Sequence, residues 1–183
     1  MIKSIAVYLG ATMPQNPIYT QAVAELGEKL ASNNITLVFG GSREGTMTIL
    51  ADAVLSHGGR AVGIFTKSLP QDLLYPGLTE TIITENLAER KATMLERADA
   101  VIALPGSFGT WDELFDALEA SKIAMINNRP PKRIGILNLN GFYDGIAQLL
   151  AISVQEGFTS RKYANLLCIG NSVYEILDKL LRD

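Results

Sequence analysis

The sequence of residues 99–119 is DAVIALPGSFGTWDELFDALE, in which a strand pattern, a turn and a helix pattern follow one another. Residues 99–103 form a short apolar run typical of a buried strand, and residues 114–119 have the apolar spacing typical of a helix. The turn between them contains glycine. Such a junction offers free backbone N–H groups and the positive end of the helix dipole to an anion. It therefore predicts a phosphate site, with the carboxylate of Glu113 beside it.

The same alternation of strand and helix patterns runs through the whole chain. The predicted strands are Ile2–Leu9, Ile35–Phe39, Arg60–Phe65, Glu80–Ile83, Ala100–Leu104, Arg133–Asn138 and Leu166–Ile169. The predicted helices are Ile18–Ser32, Gly45–His57, Leu87–Arg97, Trp111–Met125, Phe142–Glu156 and Ser172–Leu181. Several strands are apolar on both faces, as in a parallel sheet that helices cover on each side. We therefore expect a doubly wound, Rossmann-like α/β fold in a single domain spanning residues 1–183, with ligands at the carboxyl ends of the strands.

Composition and charge exclude several classes of function. The chain of 183 residues has a net charge of −3 and no block of basic residues, so we expect no nucleic-acid partner. Its single cysteine, Cys168, cannot form an internal disulfide framework or a cysteine zinc cluster, and no spacing of metal ligands is visible. The N-terminus lacks a signal-peptide pattern, and no apolar run has the length needed to span a bilayer. These patterns predict a cytoplasmic protein without a membrane partner.

A second glycine-containing turn, residues 40–47 with the sequence GGSREGTM, follows the predicted strand Ile35–Phe39. It matches neither the G-x-G-x-x-G fingerprint nor the P-loop. Glycine serves tight turns for purely steric reasons, so a structural role and a ligand-binding role both stay open for Gly41 and Gly45. Two such turns at neighbouring strand ends favour an anionic ligand shared between them.

Two interpretations are open for Glu113. Residues 110–113 (TWDE) match a capping box, in which the Thr110 and Glu113 side chains satisfy amides at the start of a helix. In the other interpretation Glu113 is catalytic. A carboxylate close to a phosphate has a raised pKa, so this role calls for a basic partner nearby.

Arg90 and Lys91 are the candidates for that basic partner. Asn86 and Glu89 predict the start of a helix, which puts both cations in its first turns. Cations near a helix N-terminus are unfavourable for the dipole, and this cost makes sense if they face an anion. The alternative is a solvated charged face without a ligand.

Together these residues resemble the Lonely Guy (LOG) family of cytokinin riboside 5′-monophosphate phosphoribohydrolases, whose relatives have often carried the label "possible lysine decarboxylase". The family motif P-G-G-x-G-T-x-x-E, preceded by an Arg-Lys pair, is similar to residues 105–113 with Arg90 and Lys91 upstream. The family's earlier turn, G-G-G-x-x-G-L-M-G, resembles residues 40–48. The similarity extends over nearly the whole chain.

The resemblance implies a hydrolase that cleaves the N-glycosidic bond of AMP or N6-modified AMP of the cytokinin type, giving free base and ribose 5-phosphate. It implies catalysis by Arg90 and Glu113. It also implies that the substrate and its phosphate are bound by Gly41, Gly45, Lys91, Gly106, Ser107, Gly109 and Thr110. The nucleoside monophosphate is the expected small-molecule partner, and a homodimer is the expected assembly.

Some family positions differ in this chain. Ser42, Thr48 and Ser107 stand where the family has glycine, and Ser107 brings a Cβ into the predicted phosphate turn. These differences keep open a non-catalytic nucleotide-binding or sensor protein of the same fold. No cofactor is expected, since no arrangement typical of a pyridoxal phosphate site is visible in the sequence.

Overall fold

A computed structural model describes residues 2–182 of the chain. The strands in this range form one parallel sheet in the order β4-β3-β2-β1-β5-β6-β7. Their bounds are β1 Ser4–Tyr8, β2 Thr36–Phe39, β3 Ala61–Thr66, β4 Glu80–Thr84, β5 Ala100–Ala103, β6 Arg133–Leu137 and β7 Leu167–Gly170. The order of strands thus reverses between β1 and β5, and ligands of open α/β sheets bind in the crevice at such a reversal.

Helices connect these strands and cover both faces of the sheet. Their bounds are α1 Pro17–Ser32, α2 Gly45–Ser56, α3 Leu87–Glu96, α4 Phe108–Ile126, α5 Asp144–Gln155, α6 Arg161–Ala164 and α7 Val173–Leu181. Short 3₁₀ turns lie at Gln71–Leu73 and Leu139–Gly141. Within residues 2–182 no helix combines the length and the apolar character needed to cross a bilayer.

Two apolar layers hold the helices against the sheet. One layer contains Val7 of β1 and side chains of α1, α2 and α7, and the other contains Ala6 of β1 and side chains of α3 and α4. Neighbouring residues of one strand enter opposite layers because successive strand residues point to opposite faces. The expectation of a doubly wound, Rossmann-like fold is confirmed.

The predicted elements are all present, with ends that differ by a few residues, and the one-turn helix α6 was not predicted. The difference that matters most for the site is at the start of α4, which is predicted at Trp111 but lies at Phe108 in the structure. The N-cap is Ser107, so Thr110 is the third helical residue and Glu113 the sixth. The capping-box interpretation is therefore wrong. Thr110 and Leu114 lie four residues apart on the buried face of α4, whereas Phe108 and Gly109 at its start are exposed.

Candidate active site

Two adjoining cavities lie at the carboxyl ends of the central strands. The first has a volume of about 370 Å³ and an apolar lining that includes Tyr19, Val23 and Phe142. The second, of about 190 Å³, contains the side chains of Arg90 and Glu113. Gly10, which follows β1, and Ser107, which precedes α4, line both cavities. We refer to them below as the apolar cavity and the polar cavity. The strand reversal thus produces one cleft with two compartments of different chemistry.

An ion pair lies in the polar cavity. Arg90 Nη1 of α3 donates to Glu113 Oε1 of α4 over 3.1 Å, and both side chains are about nine-tenths buried. Within residues 2–182 no hydrogen bond uses the other carboxylate oxygen, Oε2. The structure therefore brings together the two residues that the sequence singles out for catalysis, and it leaves one oxygen of the carboxylate available to a ligand or water.

Three elements besides α4 fix the position of the Arg90 guanidinium. Asn86 caps α3 by accepting from the Glu89 amide over 2.9 Å, which starts the helix one turn before Arg90. Arg90 Nε donates to the Ile64 carbonyl of β3 over 2.8 Å. Gly40, just after β2, leaves the space for the guanidinium, since a Cβ built there would lie 2.0 Å from Arg90 Nη2. Sequence reasoning did not assign either the Ile64 carbonyl or Gly40 to the site.

Burial controls the ionisation of Glu113. Removal from water is the largest influence and raises the pKa of its carboxyl, Arg90 and Lys91 lower it, and the charge of Asp112 raises it, so that the pKa is about 7 instead of 4.5. Tyr8 of β1 also faces this carboxylate, and its pKa is raised by burial and by Glu113. A carboxyl group that titrates close to neutral pH can take up and release protons during catalysis.

The N-terminus of α4 is open toward the cleft. The Ser107 side chain makes no capping hydrogen bond, so the first-turn amides lack a side-chain partner. Gly109 and Thr110 line the polar cavity, while Gly106 lines the apolar cavity. Ser107 has a φ of −123°, which any residue adopts, so a serine at this position imposes no backbone strain. The predicted turn thus offers N–H donors and the positive dipole end beside Glu113.

The second glycine turn has a mainly structural role in the cleft. Gly45 has a φ of +53°, and a Cβ built there would lie 2.4 Å from the backbone of Ala11 in the loop after β1. Thr46 donates to the Gly10 carbonyl over 2.6 Å, which ties α2 to the same loop. Gly41 packs against the backbone of Gly63 in β3. Neither Gly41 nor Gly45 lines the two cavities.

Lys91 also lies apart from the cavity linings. Its Nζ is 3.0 Å from Asp112 Oδ2 and 3.6 Å from Asp116 Oδ1, both on α4. Its side chain keeps about a fifth of its surface exposed. Of the residues expected to bind the phosphate, Gly106, Ser107, Gly109 and Thr110 therefore share the cleft with Arg90 and Glu113, whereas Lys91, Gly41 and Gly45 do not.

The apolar cavity was not predicted from the sequence. It lies between α1 and the segment after β6, where the rings of Tyr19 and Phe142 meet edge to face at 6.1 Å. Tyr143 supports this segment by donating to the Leu104 carbonyl over 2.7 Å. The sequence signal was the pair Phe142-Tyr143 after β6, but its contact with α1 joins residues more than a hundred positions apart. Only the fold reveals such a contact.

This arrangement defines a Rossmann-like α/β protein with a buried carboxylate–guanidinium pair and an open helix N-terminus at the strand reversal. A family profile described as "Possible lysine decarboxylase" matches residues 47–180. The chain belongs to this family, the LOG family, as the resemblance in its motifs indicates.

Relatives from two plants support the assignment to this family. The chain is 33% identical over 179 residues to cytokinin riboside 5′-monophosphate phosphoribohydrolase LOG2 of Arabidopsis thaliana, covering 97% of this chain and 82% of the relative. It is also 33% identical over 179 residues to the phosphoribohydrolase LOG of Oryza sativa subsp. japonica, covering 97% and 72% of the two chains.

Solved structures share the fold. The molybdenum cofactor carrier protein of Chlamydomonas reinhardtii superposes with a TM-score of 0.70 at 17% identity, covering 98% of this chain and 96% of the other. The molybdenum cofactor binding protein of Rippkaea orientalis has a TM-score of 0.69 at 22% identity, covering 98% and 95%. At these identities the similarity concerns the fold alone.

Proposed function

We propose that this protein hydrolyses the N-glycosidic bond of a nucleoside 5′-monophosphate, either AMP or an N6-modified AMP of the cytokinin type. The products are free base and ribose 5-phosphate. The observation that carries the proposal is the Arg90–Glu113 pair in a cavity that also contains the open N-terminus of α4. The names of the relatives, cytokinin riboside 5′-monophosphate phosphoribohydrolases, support the same reaction.

The proposed phosphate anchor is the first turn of α4. The amides around Gly109 and Thr110 donate to the phosphate oxygens, and the helix dipole favours the negative charge. Gly106 and Ser107 form the turn that brings the ligand to these donors. Each hydrogen bond to a charged group contributes on the order of 1.5–3 kcal/mol, so several of them make the phosphate a dominant anchor. On this proposal, 5′-monophosphates rather than nucleosides are the expected substrates.

The chemical step uses the free oxygen of Glu113. As the C1′–N bond breaks, its electron pair goes to the base and positive charge develops on the ribose ring. The ionised carboxylate stabilises this charge and accepts a proton from the water that adds to C1′. Glu113 then releases this proton to the base, directly or through solvent, so that the base leaves in neutral form and the carboxylate is ionised again, and the added hydroxyl completes ribose 5-phosphate.

Arg90 keeps the catalytic carboxylate in the required state. Its contact with Oε1 opposes the effect of burial on the Glu113 pKa, so a part of the population is ionised near neutral pH. The second contact of Arg90, with the Ile64 carbonyl, holds the guanidinium in one orientation. Glu113 can therefore direct Oε2 at the substrate without losing its partner.

The apolar cavity is the proposed compartment for the base. It meets the polar cavity at Gly10 and Ser107, so a ribose at this junction extends its phosphate into one compartment and its base into the other. The rings of Tyr19 and Phe142 offer aromatic surface to a planar base.

The experiment that tests the proposal is a screen of nucleoside 5′-monophosphates for release of ribose 5-phosphate, with the corresponding nucleosides as controls. We expect release from at least one monophosphate and none from the matching nucleoside. Isothermal titration with the same compounds separates hydrolysis from binding. Tight binding of AMP without any release would support the alternative, a non-catalytic nucleotide-binding or sensor protein, and would contradict the proposal.

We propose in addition that the protein is a homodimer. The helices α4 and α5 expose large apolar side chains, among them Phe115, Ile126, Leu149 and Ile152. Exposed large apolar side chains that form a patch are typical of interaction sites on proteins. The same two helices border a further cavity of about 340 Å³ that opens between them and α6.

A further inference from the structure

A second set of ion pairs joins α3 and α4 directly beside the first. Lys91 follows Arg90 on α3, and its partner Asp112 precedes Glu113 on α4. Asp116, one turn further along α4, also lies within 3.6 Å of the Lys91 ammonium. Adjacent residues of one helix are thus paired with adjacent residues of the other, but only the Arg90–Glu113 pair lines the polar cavity.

We propose that Lys91 is a positioning residue: by binding Asp112 and Asp116 it fixes α3 to α4 beside Glu113 and offsets the charge of Asp112 on the Glu113 carboxylate. This inference rests on the proposed function, in which the ionised Glu113 is the reacting group. It differs from the expectation that Lys91 binds the substrate phosphate.

The geometry favours this role over phosphate binding. The Lys91 ammonium already has two carboxylate partners, whereas a phosphate in the polar cavity meets the amides of α4. Contact with the phosphate would require Lys91 to leave both partners. The ion pairs connect the helix that carries Arg90 with the helix that carries Glu113, so they hold the two catalytic side chains at hydrogen-bonding distance.

The charges around Glu113 allow the proposed role of Lys91 to be measured through the ionisation of the Glu113 carboxyl. Arg90 and Lys91 of α3 are the positive neighbours, Asp112 of α4 is the negative one, and the neutral phenol of Tyr8 faces the carboxylate from β1. Loss of the Lys91 charge removes a positive neighbour and leaves Asp112 unpaired, and both changes disfavour ionised Glu113. Loss of the Asp112 charge has the opposite effect.

The experiment compares pH–rate profiles of Lys91→Met and Asp112→Asn, with Lys91→Arg as the charge-preserving variant. Ionisation of Glu113 should appear as the acidic limb of the pH–rate profile. In Lys91→Met this limb should move to higher pH by roughly half a pH unit or more, which is the pKa shift expected from the loss of one nearby charge at a partly exposed site. It should move to lower pH in Asp112→Asn and return toward the wild-type position in Lys91→Arg. Lys122→Met, which breaks a surface pair with Glu119, is the matched control and should not move it.

The Michaelis constant distinguishes the two roles of Lys91. A positioning residue leaves KM for the monophosphate within about twofold, whereas loss of a phosphate ligand raises KM roughly tenfold or more. A large increase in KM without movement of the pH limb would overturn the proposal. Thermal melts of each variant verify that the fold is retained.

A second readout does not depend on activity. Carbon-13 NMR of glutamate-labelled protein reports the pKa of the Glu113 carboxyl, with Glu113→Gln to assign its signal. The titration should shift in opposite directions in Lys91→Met and Asp112→Asn, and an unchanged pKa in both would overturn the proposal. If the wild type releases ribose 5-phosphate from no monophosphate, the proposed function fails, and this titration still decides whether Lys91 controls Glu113.

Discussion

Glu113 is the residue on which the proposed chemistry depends. Its side chain is about nine-tenths buried, yet only Oε1 is engaged, by Arg90. A buried carboxylate with one free oxygen beside an open helix N-terminus is suited to a reaction in which positive charge develops close to a bound anion. Because Glu113 is the sixth residue of α4 and not part of a capping box, its substitution does not remove a helix cap.

The substitution Glu113→Gln should therefore strongly reduce catalysis without disturbing the fold. Glutamine keeps the size and still accepts a hydrogen bond from Arg90, but it has no charge to stabilise the ribosyl cation. We expect kcat for ribose 5-phosphate release to fall by roughly 10² or more, while monophosphate binding is retained. Release assays and binding isotherms on the same preparation check this. Retained turnover in the folded variant would remove Glu113 from the chemistry.

The raised pKa of Glu113 also predicts a pH dependence of stability. Its carboxyl titrates at about 7 in the folded protein against an ordinary value of 4.5, so the folded state holds a proton that the unfolded state releases between these values. The contribution is fully present below about pH 4.5 and is lost as the pH rises to about 7. Relative to Glu113→Gln, the wild type should lose on the order of 3 kcal/mol of unfolding free energy over this range. Urea denaturation at several pH values measures the difference, and a constant difference would contradict the assignment.

At the scale of elements, the cleft depends on close approaches between β2, β3, α3 and α4. Arg90 reaches from α3 past the end of β2 to a carbonyl of β3, and Gly40 is the position that gives it room. These contacts join four segments of the chain, so a small change in one of them displaces the guanidinium that holds Glu113.

The substitution Gly40→Ala should displace Arg90. The added Cβ would lie 2.0 Å from Nη2, so the guanidinium must shift from the position in which it pairs with Glu113. Because misplacement of a catalytic group by about 1 Å can reduce turnover by roughly 10², we expect a loss of that order. The control is Gly145→Ala in α5, where an added Cβ meets no atom within 4 Å, and its activity should stay at the wild-type level. Wild-type kinetics in Gly40→Ala would contradict this account of the site.

The apolar cavity between α1 and the segment after β6 gives a separate prediction. Truncation in Phe142→Ala removes aromatic surface proposed to contact the base, so KM for the monophosphate should rise about tenfold. Inhibition by the product ribose 5-phosphate should stay unchanged, because this product lacks the base that is proposed to contact Phe142. Steady-state kinetics with ribose 5-phosphate as inhibitor measure both quantities. An equal loss of affinity for substrate and product would argue against the division of the cleft.

At the scale of the whole molecule, the sheet order decides where the site lies. The reversal between β1 and β5 brings together loops that follow β1, β2 and β5. The helices α4 and α5 leave large apolar side chains exposed, which is the basis for the proposed homodimer.

Assembly is testable by sedimentation velocity. The wild type should have about twice the chain mass of 19.8 kDa, and Leu149→Asp on α5 should shift it to the single-chain mass, because a charge in an apolar interface is unfavourable. Tyr174→Asp on α7, which packs on the opposite face of the sheet, is the matched control and should sediment like the wild type. A wild type that sediments as a single chain at micromolar concentration would contradict the dimer.

The sequence by itself determined the fold class, the succession of strands and helices, the family, and the residues Arg90 and Glu113 as a pair. The spacing of apolar side chains fixes the type of each element, and hence the succession of strands and helices. Short motifs indicate the family and, through it, the Arg90–Glu113 pair. The open helix N-terminus after β5 was also predictable, since the glycine turn, the strand before it and the helix after it are neighbours in the chain.

The tertiary structure alone decided how these residues are held. The support of Arg90 by the Ile64 carbonyl and Gly40, the pairing of Lys91 with Asp112 and Asp116, and the apolar cavity at Phe142 all join segments distant in sequence. The start of α4 at Phe108, ahead of the exposed Gly109 and the buried Thr110, was likewise visible only in the structure. The raised pKa of Glu113 has the same origin, because the removal of a carboxyl group from water depends on every element that packs around it.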